Sequence, residues 1–250
     1  MDQVNVIWSH IFTLFLFTKS DFKTVIFPQA IFALGAASYI RIDSYQCLYT
    51  YQSTVLKIPA MLAWIWIHLL VENLANQRLP TSIIEDKTNK PWRPIPAGRL
   101  TPTDARTWLQ FAIMVALIFS IYTETLLPST TLMTMIWLYN DLEGSSRGPF
   151  QRNVINAAGL GCFGWGGVCV LLGSCTDMDS LAPWSFLIGT IVATTVHVQD
   201  FPDIDGDNAC GRRTAPLVYG DLLARGSVAV LTPICTTNCW LCYMIKGNGY

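Results

Sequence analysis

The chain has 250 residues, of which 52% are hydrophobic and 13% are charged, and its mean hydropathy is +0.38. Because soluble domains carry about 25% charged residues, this composition excludes an ordinary soluble domain and indicates a membrane protein. The formal net charge of −1 provides no basic field of the kind that nucleic-acid binding needs, so we expect no nucleic-acid partner.

Apolar runs near the length of a transmembrane helix, about 20 residues, follow one another along the chain. Residues 4–17 are instead predicted to form an interfacial helix, since they lack the basic start and small-residue cleavage site of a signal peptide. The seven predicted spans are residues 23–40, 53–74, 106–122, 125–139, 154–173, 181–199 and 226–245. The predicted fold class is therefore all-α, a polytopic transmembrane helix bundle with a single domain over residues 1–250. Glycines in the fifth span predict close helix packing in lipid.

The distribution of basic residues predicts the orientation of the bundle. With the N-terminus inside, only Arg41, Lys57 and Lys246 of the 16 Lys and Arg residues fall on outer segments. Both long polar connections, residues 76–103 and 200–225, then lie on the cytosolic face. We therefore expect any chemistry that uses both connections to take place at that face.

An acidic segment follows the sixth predicted span. Asp200, Asp203 and Asp207 lie at positions i, i+3 and i+7, which would place three carboxylates on one face of a helix. Carboxylates packed so closely repel one another unless cations neutralise them, and Mg²⁺ is bound in proteins through a few carboxylates together with substrate phosphates. Gly206 is expected to let the backbone bend between the acids. The alternative is a solvated acidic loop that only caps two helices.

The other cytosolic connection combines acids, bases and prolines. Glu85 and Asp86 are adjacent acids, and the prolines that follow fix φ and stiffen the segment. Alone, this segment fits a positive-inside topology signal equally well. The two connections together predict a metal-bridged diphosphate whose apolar tail lies within the bundle. The basic side chains that we expect to bind its phosphate oxygens are Lys90, Arg93, Arg212 and Arg213.

Three polar side chains precede the first acidic connection at helical spacing. His68, Glu72 and Asn76 lie at i, i+4 and i+8 and so share one helix face. Ionisable groups within a span usually line an interior cavity, so we expect pocket roles among them; the alternative is a hydrogen-bond network between helices. His197, one turn before Asp200, is a further pocket candidate that would orient this carboxylate or act as a base.

The segment DFPDIDGDNACGRRTAP resembles the second aspartate-rich motif of the UbiA superfamily of intramembrane prenyltransferases, DxxDxxGDxxxGRxT, at every fixed position. EDKTNKPWRPIPAGRL is similar to the tail of the family's first motif, NDxxDxxxD. Ser82 stands at its middle acid and Arg78 at its asparagine, and a two-residue insertion would restore Asn76 to the site. This weakened motif, and RNVINAAG at residues 152–159, resemble the fungal terpene-cyclase branch. Since the family usually has nine transmembrane helices, we expect the last two to be absent here.

The resemblance implies a magnesium-dependent reaction of a prenyl diphosphate in a membrane, by family analogy the endoplasmic reticulum. It implies metal ligands at Asp86, Asp200, Asp203, Asp207, Glu85 and Asn76, of which the four aspartates are the expected catalytic residues. The carbocation left after ionisation would need a dry pocket with aromatic faces. The aromatic candidates, taken as a group, are Trp64, Trp66, Trp137, Tyr139, Phe163 and Trp165.

Three functions fit these expectations. The first is a terpene cyclase that acts on farnesyl or geranylgeranyl diphosphate, in which a double bond of the substrate captures the cation. The second is a prenyltransferase, in which an aromatic or polyketide acceptor captures it. The third is a membrane cation transporter with acidic gates. Transporters bind near the bilayer midplane, whereas the acids here cluster at one interface, so the sequence favours the enzymes, with an isoprenoid diphosphate and membrane lipid as partners.

Overall fold

A computed structural model describes residues 3–43, 51–173 and 178–247, and all the secondary structure of these residues is helical, which confirms the all-α prediction over them. A 3₁₀ turn and a π-helical turn connect the first two helices, and a 3₁₀ segment precedes the ninth. The α-helices are α1 (Gln3–Thr18), α2 (Phe27–Asp43), α3 (Tyr51–Gln77), α4 (Pro80–Asn89), α5 (Pro102–Tyr122), α6 (Leu126–Tyr139), α7 (Pro149–Leu172), α8 (Met178–Thr195), α9 (Ile204–Ala209), α10 (Ala215–Tyr219) and α11 (Asp221–Gly247).

The chain is a multi-pass membrane protein. Within the described residues, four helical segments are long and apolar enough to cross a bilayer, Val55–Gln77, Pro102–Tyr122, Pro149–Leu172 and Leu181–Ala209. Helix α6 is apolar but has only 14 residues, about 21 Å at 1.5 Å per residue, which is short of the hydrocarbon thickness of about 30 Å. The spans predicted over residues 23–40 and 226–245 stay predictions.

Helix α7 packs against α2, α3, α6 and α8 and so occupies the centre of the bundle. Its glycines explain part of this packing. A Cβ on Gly166 would lie 2.0 Å from the indole of Trp64, and a Cβ on Gly164 would lie 2.6 Å from Phe32, whereas one on Gly161 would meet no atom within 4 Å. The predicted close approach therefore holds from Gly164 onwards and not at Gly159 or Gly161.

A buried polar network joins α3 to α5 and α6. The indole Nε1 of Trp64 donates to Ser120 Oγ at 3.2 Å, and the Trp64 and His68 rings stack at 3.9 Å between centroids. His68 Nε2 lies 2.7 Å from Ser129 Oγ and its Nδ1 lies 2.8 Å from the Trp64 carbonyl oxygen. Because buried polar groups need partners, this network fixes the crossing of the three helices.

The connection between α3 and α5 contains a helix, α4, that its prolines did not suggest. Pro80 begins the helix, a favourable position because the first helical N–H groups need no partner within the helix. The helix ends at Asn89, two residues before Pro91, since a residue that precedes proline avoids the helical region. Helix α4 packs against α9. The two polar connections therefore meet, and each contributes a short helix to the contact.

Candidate active site

Asn89 on α4 joins the two acidic connections directly. Its Nδ2 donates to the Asp203 carbonyl oxygen at 3.0 Å, and its Oδ1 accepts from the Gly206 N–H at 3.2 Å. A Cβ on Gly206 would lie 2.3 Å from Asn89 Nδ2. The prediction that Gly206 bends the backbone is therefore wrong: Gly206 lies within α9, and glycine is needed there because Asn89 approaches so closely.

Two ion pairs involve basic residues of the first connection, one with an acid of the second connection and one with an acid of the first connection itself. Lys90 Nζ lies 2.7 Å from Asp203 Oδ2, and both side chains remain about one-fifth exposed. Arg93 Nη1 lies 2.8 Å from Asp86 Oδ1, and this pair is buried. Burial raises the pKa of Asp86 to about 6, although the nearby Arg93 guanidinium opposes the shift. Asp86 is thus a carboxyl group in a poorly solvated site that needs nearby positive charge to stay ionised.

Arg212 bridges acids from both connections. Its Nη1 lies 2.5 Å from Glu85 Oε2 and 3.3 Å from Asp207 Oδ1, and its Nη2 donates to Ser82 Oγ at 3.3 Å. Burial alone would lower the pKa of Arg212, but the Glu85 carboxylate raises it above its ordinary value. Ser82, which stands at the position of the middle acid of the family's first motif, therefore accepts a hydrogen bond from Arg212 of the second motif.

Arg152, on the first turn of α7, is a site residue that the sequence prediction missed. Its Nη2 lies 2.8 Å from Asp200 Oδ1, and its guanidinium carbon lies 5.8 Å from the centroid of the Tyr139 ring. The available signal was an arginine that opens the RNVINAAG segment close to a transmembrane span. Only the packing of α7 against the segment before α9 reveals that this arginine faces Asp200.

The charges of this cluster nearly balance. Its basic side chains are Lys90, Arg93, Arg152 and Arg212, and its carboxylates are Glu85, Asp86, Asp200, Asp203 and Asp207. Because each basic group already contacts a carboxylate, a diphosphate that enters the cluster brings negative charge that these four side chains cannot offset alone. The cluster therefore needs further cations to hold such an anion.

The carboxylates have unused ligand atoms that suit a divalent cation. In the described part of the chain, Oδ2 of Asp86, of Asp200 and of Asp207 is buried and has no hydrogen-bond partner. Such orphaned oxygens are costly in a protein interior unless a cation binds them, and Mg²⁺ prefers oxygen ligands of this kind. Glu85, Asp207 and Cys210 also present possible ligand atoms within 4.8 Å of one another. The residues present therefore fit magnesium.

A cavity of about 190 Å³ opens beside the cluster, and its two ends differ in chemistry. Lys90, Arg93, Asp203 and Arg212 belong to its polar end. Towards the other end, α3, α6 and α7 contribute most of the apolar residues of the lining, although Thr24 and Asn73 also line the cavity. The apolar and aromatic residues that line the cavity include Val25, Leu69, Leu132, Tyr139, Leu160 and Phe163. A molecule with an anionic head and a hydrocarbon tail matches this arrangement.

The structure divides the predicted pocket residues. Glu72 and Asn76 line the cavity, and Asn76 Nδ2 donates to Asn140 Oδ1 at 2.8 Å. His68 lies in the network of α3, α5 and α6 described above, which is the alternative considered for it. His197 Nε2 lies 3.0 Å from Ser227 Oγ and 3.2 Å from the Ala224 carbonyl oxygen, so it contacts α11. Arg213 is exposed, unlike its neighbour in the chain.

The aromatic candidates divide as well. Tyr139 and Phe163 line the cavity. Trp64 is part of the buried network, and Trp66 Nε1 donates to Thr18 Oγ1 at 3.2 Å, so these two rings serve helix packing. Trp137 is 55% exposed and faces outward. The aromatic surface of the site therefore comes from α6 and α7.

Residues 58–250 match the UbiA prenyltransferase family. The chain is similar to the Fumagillin beta-trans-bergamotene synthase of Aspergillus fumigatus, with 34% identity over 88% of this chain and 71% of that protein. It is also similar to the polyprenyl transferase eriF of Hericium erinaceus, with 30% identity over 87% of this chain and 72% of that protein.

The fold has a counterpart among solved structures. A UbiA homologue from Archaeoglobus fulgidus bound to DMAPP and Mg²⁺ superposes with a TM-score of 0.58 over 84% of this chain and 73% of that chain, at 14% identity. The family match contradicts the hypothesis of a membrane cation transporter, and the shared architecture agrees with the match. The chain belongs to the UbiA prenyltransferase family and is an enzyme that acts on prenyl diphosphates.

Proposed function

We propose that this enzyme is a magnesium-dependent terpene cyclase, which ionises farnesyl or geranylgeranyl diphosphate and closes the resulting cation into a ring. One observation carries the proposal: acids and bases of both connections form one cluster beside a cavity that apolar side chains of the transmembrane helices also line. The similarity to a bergamotene synthase supports cyclisation, and the homologue bound to DMAPP and Mg²⁺ supports the substrate class and the metal.

The side chains of the cluster have two tasks in this proposal. Lys90, Arg93, Arg152 and Arg212 donate to phosphate oxygens and stabilise the departing diphosphate. Mg²⁺, when bound, would offset the charge that develops on the diphosphate. Its proposed ligands are Asp86, Asp200, Asp203, Asp207, Glu85 and Asn76. Ion pairs such as Lys90–Asp203 would open to receive the substrate, since a phosphate oxygen competes for the same donor.

The apolar end of the cavity would hold the hydrocarbon chain away from water. Leu69, Leu132 and Leu160 provide apolar walls, and Tyr139 and Phe163 provide ring faces, which attract a carbocation through their quadrupoles. Because Leu69, Leu132 and Leu160 offer no nucleophile, a cation held against them would react with the substrate's own alkene. Apolar contact of this kind would favour cyclisation over hydrolysis.

The second candidate is transfer of the prenyl group to an aromatic or polyketide acceptor, which the 30% identity to a polyprenyl transferase favours. Both reactions share the ionisation step, so acceptor dependence separates them. Membranes that contain the protein and Mg²⁺ should convert farnesyl or geranylgeranyl diphosphate into a cyclic hydrocarbon with no acceptor present. Turnover only after an aromatic acceptor is added would identify a transferase instead.

Variants of the second motif test the site itself. We expect Asp203→Ala and Asp207→Ala each to lower diphosphate release about 100-fold or more, the scale of losing one group that stabilises a developing charge. Asp205→Ala is the matched control, because Asp205 lies between these acids in the same segment but is exposed. Unchanged release in both cluster variants, measured as pyrophosphate, would overturn the proposed site.

A further inference from the structure

Glu72 is a carboxyl group on the cavity wall that the ionisation step does not use. It lies in α3, within the transmembrane segment Val55–Gln77, where ionisable residues are rare and usually functional. Leu69, Glu72 and Asn76 all line the cavity from this one helix. At 1.5 Å per residue, Glu72 lies about 6 Å deeper along the helix axis than Asn76, towards the apolar end.

The surroundings of Glu72 differ from those of the motif acids. Each motif carboxylate contacts a lysine or arginine at 3.3 Å or less, whereas no described residue forms an ion pair with Glu72. Asp21, from the turn between α1 and α2, is a second acid on the cavity wall, and its Oδ2 accepts from Ser20 Oγ at 3.2 Å. Glu72 is therefore an acid at the border between the polar cluster and the hydrocarbon walls.

A cyclisation that ends in a hydrocarbon must remove a proton. The last carbocation becomes neutral when a C–H bond next to the cationic carbon breaks. The electron pair of this bond forms a C=C bond, and the proton passes to an acceptor. The histidines predicted as pocket residues do not line the cavity, and the proposed function assigns the motif acids to Mg²⁺. Of the two other acids on the cavity wall, Asp21 accepts a hydrogen bond from Ser20, whereas Glu72 lies on the same transmembrane helix as Leu69 of the hydrocarbon wall. Glu72 is therefore the carboxylate best placed beside the hydrocarbon chain.

We propose that Glu72 is the proton acceptor that ends the cyclisation. One oxygen of its carboxylate takes the proton from the cyclic cation, which becomes a neutral alkene, and Glu72 becomes a neutral carboxylic acid. The proton returns to solvent through the polar end of the cavity as the diphosphate leaves. This inference rests on the proposed cyclase function, because a transferase would deprotonate its acceptor instead.

The test separates ionisation from deprotonation by measuring pyrophosphate and terpene products in the same reaction. Glu72→Gln keeps the size and polarity of the side chain but removes the base. We expect pyrophosphate release within about threefold of wild type, while the hydrocarbon formed per pyrophosphate falls about tenfold or more, in keeping with the loss of a general base. Terpene alcohol, formed when water captures the long-lived cation, should replace the hydrocarbon. Glu124→Gln is the matched control, since Glu124 is exposed between α5 and α6.

Each other outcome has a definite meaning. An unchanged ratio of hydrocarbon to pyrophosphate in Glu72→Gln would overturn the inference, since another group, such as the released diphosphate, would then take the proton. A parallel loss of pyrophosphate and hydrocarbon in folded protein would also overturn it, because Glu72 would act before deprotonation. If Glu72→Gln does not fold, Glu72→Asp decides: a shortened base should change the ratio of double-bond isomers, and an unchanged ratio and yield contradict the role. Wild-type protein that makes no hydrocarbon without an acceptor refutes the proposed function instead.

Discussion

A buried arginine stands at the junction of the helix bundle and the acidic cluster. Arg152 binds Asp200 through one nitrogen, and its other terminal nitrogen, Nη1, is buried without a hydrogen-bond partner among the described residues. A guanidinium offers several donors in a fixed plane, which suits two-point binding of a carboxylate or a phosphate. We infer that the free donor is held ready for a phosphate oxygen of the substrate.

Arg152→Lys tests this inference. Lysine keeps the positive charge but cannot bind Asp200 and a phosphate oxygen in the same planar arrangement, so we expect diphosphate release to fall about 10- to 100-fold, the scale of one hydrogen bond to a charged group. Arg147→Lys, at an exposed position shortly before α7, is the control and should retain activity. Equal activity of the two variants would show that Arg152 only balances charge.

At the scale of elements, the contact between α3 and α7 depends on one glycine. The Trp64 indole lies where a Cβ on Gly166 would be, at 2.0 Å. The indole cannot move aside easily, because its Nε1 bonds to Ser120 and its ring stacks on His68. Any side chain at Gly166 would therefore push the two helices apart.

Two alanine substitutions in the same helix separate this contact from helix propensity. We expect Gly166→Ala to destabilise the protein by about 1–3 kcal/mol, the cost of overpacking a filled interior. Gly161→Ala should be neutral or stabilise by up to about 1 kcal/mol, since alanine favours a helix over glycine and a Cβ there meets nothing within 4 Å. Thermal unfolding in detergent measures both, and similar losses in the two variants would contradict the proposed contact.

The elements also explain what the sequence could and could not predict. The acids of the second motif were identifiable because their spacing is fixed within one short segment. Arg152 was not, because its partner is 48 residues away and only helix packing brings them together. Helix α4 was obscured by prolines that lie at its start and after its end. His68 and Glu72 share a helix face by their spacing. The sequence could not show that His68 contacts Ser129 of α6 whereas Glu72 lines the cavity.

At the scale of the whole molecule, the packing and the charge pattern agree. The acidic cluster lies at one end of the bundle. Helix α3 ends there, and α5 and α7 begin there, as the charged residues next to these termini show. The same end carries most of the lysines and arginines, which predicts that it faces the cytosol. The substrate would then enter from the cytosolic side, with its tail in the bilayer interior.

Glycosylation mapping tests this orientation. A peptide that contains an Asn-X-Thr acceptor, inserted after Glu124 between α5 and α6, should be glycosylated in microsomes, because that connection lies at the end of α5 opposite the cluster. The same peptide inserted after Gly98, in the connection that follows α4, should stay unmodified. A mobility shift that glycosidase removes identifies the modified variant. The reverse pattern would place the acidic cluster in the lumen, and the diphosphate substrate would then have to be supplied from that side of the membrane.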